Sequence, residues 1–269
     1  MGNLLYSECY KWKKNKAFWI CLFSAVSMVL LVYLIMTTAG QAMGAGKDVL
    51  KETGISGMAE QFAGGGLVTM FSAIFLCIWT VSDYTHGAMK NTVGKGYSRM
   101  QVFLAKHLFG TTITLMMNLV IFLVILLIGL IMIGIPEDGR MFFQNMLIYL
   151  GLQLLFGIAV SSIVIAVCEW SRNMAAGIGI TMALIMFSPL LMQGLDLLLS
   201  KMHLKMALSG YWILNLMADC PTEAFPSEFL FRGCIMAAIW TLLPLILSAV
   251  HFRKKISHRN GPSLEVCGW

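Results

Sequence analysis

Six long apolar runs, separated by short polar segments, restrict the possible folds of this chain more than any other feature. A helix needs about 20 predominantly apolar residues to cross the hydrocarbon core of a bilayer. The runs reach about that length and do not alternate between polar and apolar positions, which favours helices over the strands of a membrane barrel. The sequence therefore predicts an all-α polytopic membrane protein, with one membrane domain over residues 1–269. The predicted spans are residues 17–39, 62–81, 108–135, 146–167, 174–195 and 229–251.

The composition supports this architecture. Hydrophobic residues make up 58% of the chain and charged residues only 12%, whereas charged residues make up about 25% of an ordinary soluble domain. The first apolar run is longer than the core of a signal peptide, and no convincing small-residue cleavage site follows it. We therefore expect a retained helix rather than a cleaved leader.

Basic residues predict the orientation of the spans. With six spans both chain ends lie on one side, and that side carries most of the lysines and arginines, including Lys11, Lys90 and Arg253. Because basic residues favour the cytoplasmic face, both termini are expected in the cytoplasm. The net charge of +6 fits contact with anionic lipid headgroups. Nucleic acid is not expected as a partner, since the basic residues are divided among short segments beside the membrane.

The N-terminal residues 3–16 have the pattern of an amphipathic helix that lies in the membrane interface. Lysines occupy the opposite side of this predicted helix, at Lys11 and Lys14. A disordered basic tail is the alternative, but the aromatic pair and the helical spacing argue against it. The apolar face carries Leu5, Cys9 and Trp12, extended by Tyr6 and Tyr10.

A charged, glycine-punctuated segment, residues 83–99, separates the second and third runs. Ser98 and Gln101 fit a capping box, which predicts that the third helix begins before its apolar run. Gly94 and Gly96 can end a helix, so a short helix over residues 85–93 is expected across the membrane plane. The alternative is a solvated loop whose lysines only follow the orientation rule.

The outer side carries a stretch, residues 197–218, that is too apolar for a solvated loop and too interrupted to span. We expect two interfacial or re-entrant helices there, capping the last two spans. Free thiols are expected for the seven cysteines, with a Cys220–Cys234 disulfide as the alternative. The histidines show no metal-ligand spacing, so no metal site is expected.

The spans are rich in methionine, which suits varied apolar partners. Ordinary contact with lipid or with neighbouring helices is the alternative for each of these side chains. Small residues at four-residue spacing, such as Ala175 and Gly179, would allow two helices to approach closely. The side chains proposed to line a substrate pathway are Met70, Phe71, Met182, Met186 and Phe187.

The spans argue against a self-sufficient secondary carrier or ion-efflux permease, which stays the alternative function, and more strongly against an intramembrane enzyme. No Asp, Glu, Lys or Arg lies near the centre of an apolar run, although ion-coupled carriers usually need such groups. An intramembrane hydrolase would need a base beside Ser161 or Ser162, and no histidine is expected near them. The chain also has no P-loop, because residues 44–48 lack the required spacing and the Ser or Thr that binds magnesium.

The segment over residues 83–99 resembles the coupling region of type-2 ABC transporter permeases, which joins the second and third spans and contacts the ATPase. An aspartate and a glycine-tyrosine pair stand where many members of that family carry glutamate and proline. The six-span layout and the amphipathic start are also similar. The loop between spans four and five, with Glu169 and Arg172, is a second candidate contact, although these two residues could simply pair with each other. The matching residues are Asp83, Tyr84, Gly87, Lys90, Asn91 and Arg99.

The small size and short outer loops resemble permeases of the bacitracin- and lantibiotic-immunity type. This resemblance implies a subunit in a bacterial cytoplasmic membrane that pairs with a second permease, identical or related. It also implies separate cytoplasmic ATPases that bind ATP and magnesium, with no cofactor in this chain. The expected cargo is an amphipathic or apolar molecule for export, such as an antimicrobial peptide or a drug.

Overall fold

A computed structural model describes residues 2–42, 55–64, 66–85, 92, 96–134, 139–202, 207–222 and 225–257. These residues form helices and connecting turns, with no strand among them. Six helical segments are long and apolar enough to cross a membrane. They are Lys16–Ala39, Ile55–Thr85, Met100–Ile133, Gly139–Ser171, Met174–Lys201 and Ser227–Val250. The prediction of an all-α polytopic membrane protein is therefore confirmed.

Eight α-helices are numbered here in chain order. A π-helical turn, Glu60–Gly64, and a 3-10 turn, Ser209–Tyr211, lie between them. Residues 55–59 are also helical and lead into the π turn. The helices are α1 (Gly2–Lys14), α2 (Lys16–Ala42), α3 (Leu67–Thr85), α4 (Arg99–Ile133), α5 (Gly139–Ser171), α6 (Met174–Lys201), α7 (Ile213–Ala218) and α8 (Ser227–Ser257).

Helices α3 and α5 lie at the centre of the bundle: α3 packs against α2, α4, α5 and α6, and α5 packs against α3, α4, α6 and α8. In the apolar stretch of the span that contains α3, 60% of the residues are buried, and in that of α5 56%, against 17% in α6. Tyr149 and Phe156 of α5 are among the fully buried side chains of one apolar core. A second core lies between α2, α3 and α4, around Phe75 and Ile121. Because lipid covers the remaining faces, exposed apolar side chains are normal on α2, α6 and α8.

Helix α1 packs against the start of α4, where Leu4 is buried beside Val102 and Ala105. Asn15 separates α1 from α2, since its side chain accepts the Ala17 amide hydrogen at 2.9 Å and so caps α2. The predicted N-terminal helix over residues 3–16 thus corresponds to an observed helix that ends at Lys14.

The orientation of α1 differs from the sequence expectation. Lys11 was placed on a solvated face, but its ammonium group points into the bundle and bridges Glu8 and Asp83. Tyr6 and Tyr10 project outwards, with 77% and 56% of their surface exposed. Leu5 and Trp12 of the predicted apolar face do pack against the bundle. The packed side of α1 also includes Leu4, Glu8 and Lys11, because α1 meets the bundle through an ion pair as well as through apolar contact.

Several span ends differ from the predicted ones. Helix α3 continues to Thr85, so Asp83 and Tyr84 lie in its last turn rather than in a loop. Helix α4 begins at Arg99, and the predicted capping box of Ser98 with Gln101 is confirmed. The short helix expected over residues 85–93 falls largely outside the described residues. Helix α6 runs to Lys201 and includes the apolar residues 197–199 that were assigned to the outer segment.

Among the described residues of the outer segment, the 3-10 turn and α7 form a compact cap over α5 and α6. Five of the six residues of α7 are buried, from Ile213 to Met217. Trp212 donates its indole N–H to the Ser188 hydroxyl of α6 at 2.9 Å, and Gln153 of α5 donates to the Met217 carbonyl at 3.0 Å. These hydrogen bonds satisfy polar groups that would be costly to bury alone.

Cys220 and Cys234 are both free thiols, so the alternative of a disulfide between them is not realised. Burial, reinforced by the Glu60 carboxylate, raises the pKa of the Cys220 thiol to about 12. This thiol therefore stays protonated at neutral pH and is a weak nucleophile for disulfide exchange.

Candidate functional site at the α1 end of the bundle

A cluster of charged side chains lies where α1, the end of α3, the start of α4 and the turn between α5 and α6 meet. We call it the α1-end cluster. Its members come from four separate parts of the sequence, so only the fold brings them together. They are Glu8, Lys11, Asp83, Tyr84, Lys106, Glu169 and Arg172.

Asp83 is the centre of the ion pairs. Its Oδ2 lies 3.3 Å from Lys11 Nζ and 3.2 Å from Lys106 Nζ. Lys11 also donates to Glu8 Oε1 at 2.8 Å. Lys106 is only 3% exposed and donates to the Thr80 carbonyl at 2.9 Å. A lysine buried to this degree is tolerated because it is paired and hydrogen-bonded.

The charge of Lys11 is favoured by its partners. Burial alone lowers its pKa, but the hydrogen bond to Glu8 and the charge of Asp83 outweigh burial, and the pKa is raised above 10.5. A raised lysine pKa means that the stabilising contribution is fully present at neutral pH. It is lost only as the pH rises beyond the ordinary lysine range.

Tyr84 lies between two cations. Lys106 Nζ is 4.8 Å from the centre of its ring, and the guanidinium carbon of Arg172 is 5.4 Å from it. Both distances fall within the range of cation–π attraction. The ring therefore contacts α4 through Lys106 and the turn between α5 and α6 through Arg172.

Glu169 lies in the last turn of α5 in a buried position, with 3% of its surface exposed. Neither carboxylate oxygen makes a hydrogen bond of good geometry among the described residues, although the carboxylate interacts with the Tyr84 hydroxyl. The alternative pairing of Glu169 with Arg172 is not formed within 4 Å. Glu169 instead interacts electrostatically with both Lys106 and Arg172. A side chain this buried is positioned to act on its neighbours rather than on a docked protein.

The turn that carries Arg172 has defined ends. The Arg172 N–H donates to the Cys168 carbonyl at 3.0 Å and closes α5, with a φ of 49°. Asn173 then caps α6 by accepting the Ala175 amide hydrogen at 3.0 Å. Because both helix ends are satisfied locally, the turn is short and the backbone of Arg172 is fixed between two helices.

Of the other four predicted coupling residues, the structure describes only Arg99. Gly87, Lys90 and Asn91 lie outside the described residues. Arg99 is the first residue of α4, directly after its cap. Lys106 and Glu8 were not predicted as site residues. Lys106 follows the buried Phe103 at three-residue spacing, which was the available sign that it faces the bundle.

The residues predicted for a substrate pathway do not share one surface. Met70 and Met182 pack against the core around α5, and Phe71 packs against the core between α2, α3 and α4. Met186 and Phe187 lie on the outside of α6, with 56% and 59% of their surface exposed. A cavity of about 20 Å³, lined by Asn118 and Gln153 among others, is no larger than a water site.

The expectation that no histidine lies near the serines of the fourth span is wrong. His107 Nε2 is 3.1 Å from Ser162 Oγ, because α4 and α5 are packed side by side. The Ser162 hydroxyl also lies 3.0 Å from the Ile158 carbonyl, which can only accept, so the backbone of α5 competes with His107 for its single hydrogen. The contact joins two helices, and with Ser162 1% exposed no substrate reaches it.

A comparison with protein families matches residues 4–188 to the ABC-2 family transporter proteins. This range contains the whole α1-end cluster and most of the first five spans. The chain belongs to the ABC-2 transporter family. Its members are the membrane components of ABC transporters and work with ATPase subunits rather than as the ATPase. A comparison with curated proteins finds no significant match.

Proposed function

We propose that this ABC-2 permease drives export by receiving the motion of a separate ATPase through residues 83–99. The α1-end cluster is the observation that carries the proposal. It ties the first residues of this segment, Asp83 and Tyr84, to α1, to α4 and to the turn before α6. A displacement applied to the segment would therefore reach several spans at once.

The ATPase would bind ATP and magnesium, and this chain would supply the docking surface. Lys90 and Asn91 follow Asp83 and Tyr84 in sequence and match the family's coupling pattern. Most basic residues lie on the side of the membrane predicted for both termini. This bias favours a cytoplasmic location for both termini in a bacterial membrane. Glu169 would act inside the permease, since it is too buried to contact the ATPase directly.

A second permease, identical or related, would pack against α6. This helix is the least buried of the six candidate spans. Its exposed face carries Ala175, Gly179 and Ala183 at four-residue spacing, and no atom lies within 4 Å of a Cβ built on Gly179. Small residues in such a row allow helix backbones to approach closely in lipid.

The cargo would pass between the two permeases. The cavity between α4 and α5 is too small for an organic solute, whereas Met186 and Phe187 are exposed on α6 beside the proposed partner. Flexible thioether and aromatic side chains suit an amphipathic or apolar substrate, such as an antimicrobial peptide or a lipophilic drug.

Reconstitution with its ATPase, sought among adjacent genes, tests this function. The substitutions Lys90→Glu and Tyr84→Ala should each remove most of the permease-stimulated ATP hydrolysis and weaken copurification of the ATPase. Lys13→Glu is the matched control, because Lys13 is an exposed lysine at the same end. If Lys90→Glu and Tyr84→Ala behave like Lys13→Glu in both assays, residues 83–99 are not the coupling surface.

A further inference from the structure

We infer that Tyr84 is a positioning residue that holds the end of α3 to the turn between α5 and α6, so that the two move together. Its ring lies between a cation from α4 and a cation from that turn. A single side chain therefore connects three elements that are far apart in sequence. The structural connection does not depend on the proposed function. Its use in coupling to the ATPase does rest on the proposed function.

The backbone of Arg172 supports a role for its side chain. A φ of 49° is in the left-handed region, where glycine is the usual residue at a helix end. Glycine would adopt this conformation without strain, so the local backbone gives no reason for an arginine. The contact of its guanidinium group with the Tyr84 ring does give one.

Burial makes the contact with Lys106 strong and directional. Lys106 is 3% exposed, and the Tyr84 hydroxyl is buried beside the Glu169 carboxylate, with which it interacts. A cation that has lost its water is attracted more strongly to a ring face. The buried Glu169 carboxylate offsets the repulsion between the two cations, because it interacts with both Lys106 and Arg172.

The connection gives the segment over residues 83–99 a route to α6. Arg172 directly precedes Asn173, the cap of α6. Movement of the Tyr84 ring would therefore be transferred to the first turn of the helix that we propose as the contact with a second permease. The turn between α5 and α6 then needs no ATPase contact of its own to take part in coupling.

Hydrogen–deuterium exchange of the purified full-length permease, without ATPase, tests the connection. Tyr84→Leu removes the ring and should make amides in residues 169–177 exchange roughly five to ten times faster. Tyr84→Phe keeps the ring but removes the hydroxyl that interacts with Glu169, so it should raise exchange clearly less than Tyr84→Leu does. Tyr10→Leu is the matched control, because it removes a ring that contacts Lys14 at 4.7 Å on the exposed side of α1. Equal exchange in residues 169–177 for Tyr84→Leu and Tyr10→Leu would overturn the inference, as would an equal effect of Tyr84→Phe and Tyr84→Leu.

A reciprocal variant keeps the test decisive if Tyr84→Leu does not fold. Arg172→Gly removes the guanidinium group at an exposed position and also relieves the backbone. It should raise exchange in residues 82–85, which are remote in sequence, while α8 stays unchanged. No change in residues 82–85 would contradict the connection. Because this readout needs no ATPase, its failure is distinguishable from failure of the proposed function, which the hydrolysis assay reports.

Discussion

Lys106 carries its positive charge in an almost fully buried position at the α1 end of the bundle. It is held by the Asp83 carboxylate, the Thr80 carbonyl and the face of the Tyr84 ring. None of these partners is near it in sequence, so the sequence placed Lys106 only among the basic residues that set the orientation. Because Lys106 is buried, its charge stabilises the contact between α3 and α4 and does more than contribute to the basic side of the membrane protein.

Removing Asp83 should strongly destabilise the permease. Asp83→Ala leaves the buried Lys106 without its counter-charge, and breaking a buried pair in this way costs about 3–5 kcal/mol. Thermal unfolding in detergent should show a clear loss of stability. Glu228→Ala removes an exposed carboxylate at the start of α8 and should change stability by less than about 0.5 kcal/mol. Adding Lys106→Met to Asp83→Ala should recover part of the loss, and no recovery would argue against the ion pair.

At the scale of the helices, the start of α4 was predictable and the end of α3 was not. Ser98 and Gln101 specify the α4 start through hydrogen bonds between close neighbours, which a sequence shows directly. Asp83 lies beyond the predicted end of the second span at residue 81, in the segment over residues 83–99. The helix continues past it because Lys11 and Lys106 neutralise the carboxylate, and these contacts come from distant parts of the chain.

Helix α4 packs closely against Ile55 at Gly129. The effect of this close contact on stability can be tested by comparing alanine substitutions at a crowded and at an open glycine. A Cβ on Gly129 would lie 3.0 Å from Ile55 Cγ1, whereas a Cβ on Gly151 would meet no atom within 4 Å. Gly129→Ala should therefore destabilise by about 1–3 kcal/mol because the β-branched Ile55 has to move. Gly151→Ala should be neutral or stabilising by up to about 1 kcal/mol. Unfolding midpoints in which Gly129→Ala is as stable as Gly151→Ala would show that this contact is loose.

At the scale of the whole molecule, the bundle has a buried centre and two sparsely covered sides. Helices α3 and α5 each touch four other spans, while only 17% and 22% of the apolar stretches of α6 and α8 are buried. The six-helix layout followed from hydropathy, since each span is a continuous apolar segment. Which helices lie at the centre did not follow, because all six have similar composition and differ only in their neighbours.

The exposed small residues of α6 make pairing of two permeases testable. Gly179→Leu places a large side chain where a second backbone would approach and should lower the paired fraction at least several-fold. Single-molecule photobleaching in liposomes measures that fraction. Gly151→Leu is the matched control, because it adds the same side chain at another open position in the bundle. A paired fraction that falls equally for both variants would exclude α6 as the specific contact.

Tyr6 and Tyr10 extend outwards from α1, while Lys11 of the same helix is joined to α3. Tyrosine rings settle at the depth of the lipid headgroups. The headgroup layer therefore sets the height of a helix that is attached to Asp83, at the end of the second span. Bilayer thickness becomes a mechanical input to this protein, so its ATP-linked activity should depend on lipid chain length even when the lipid headgroups are unchanged.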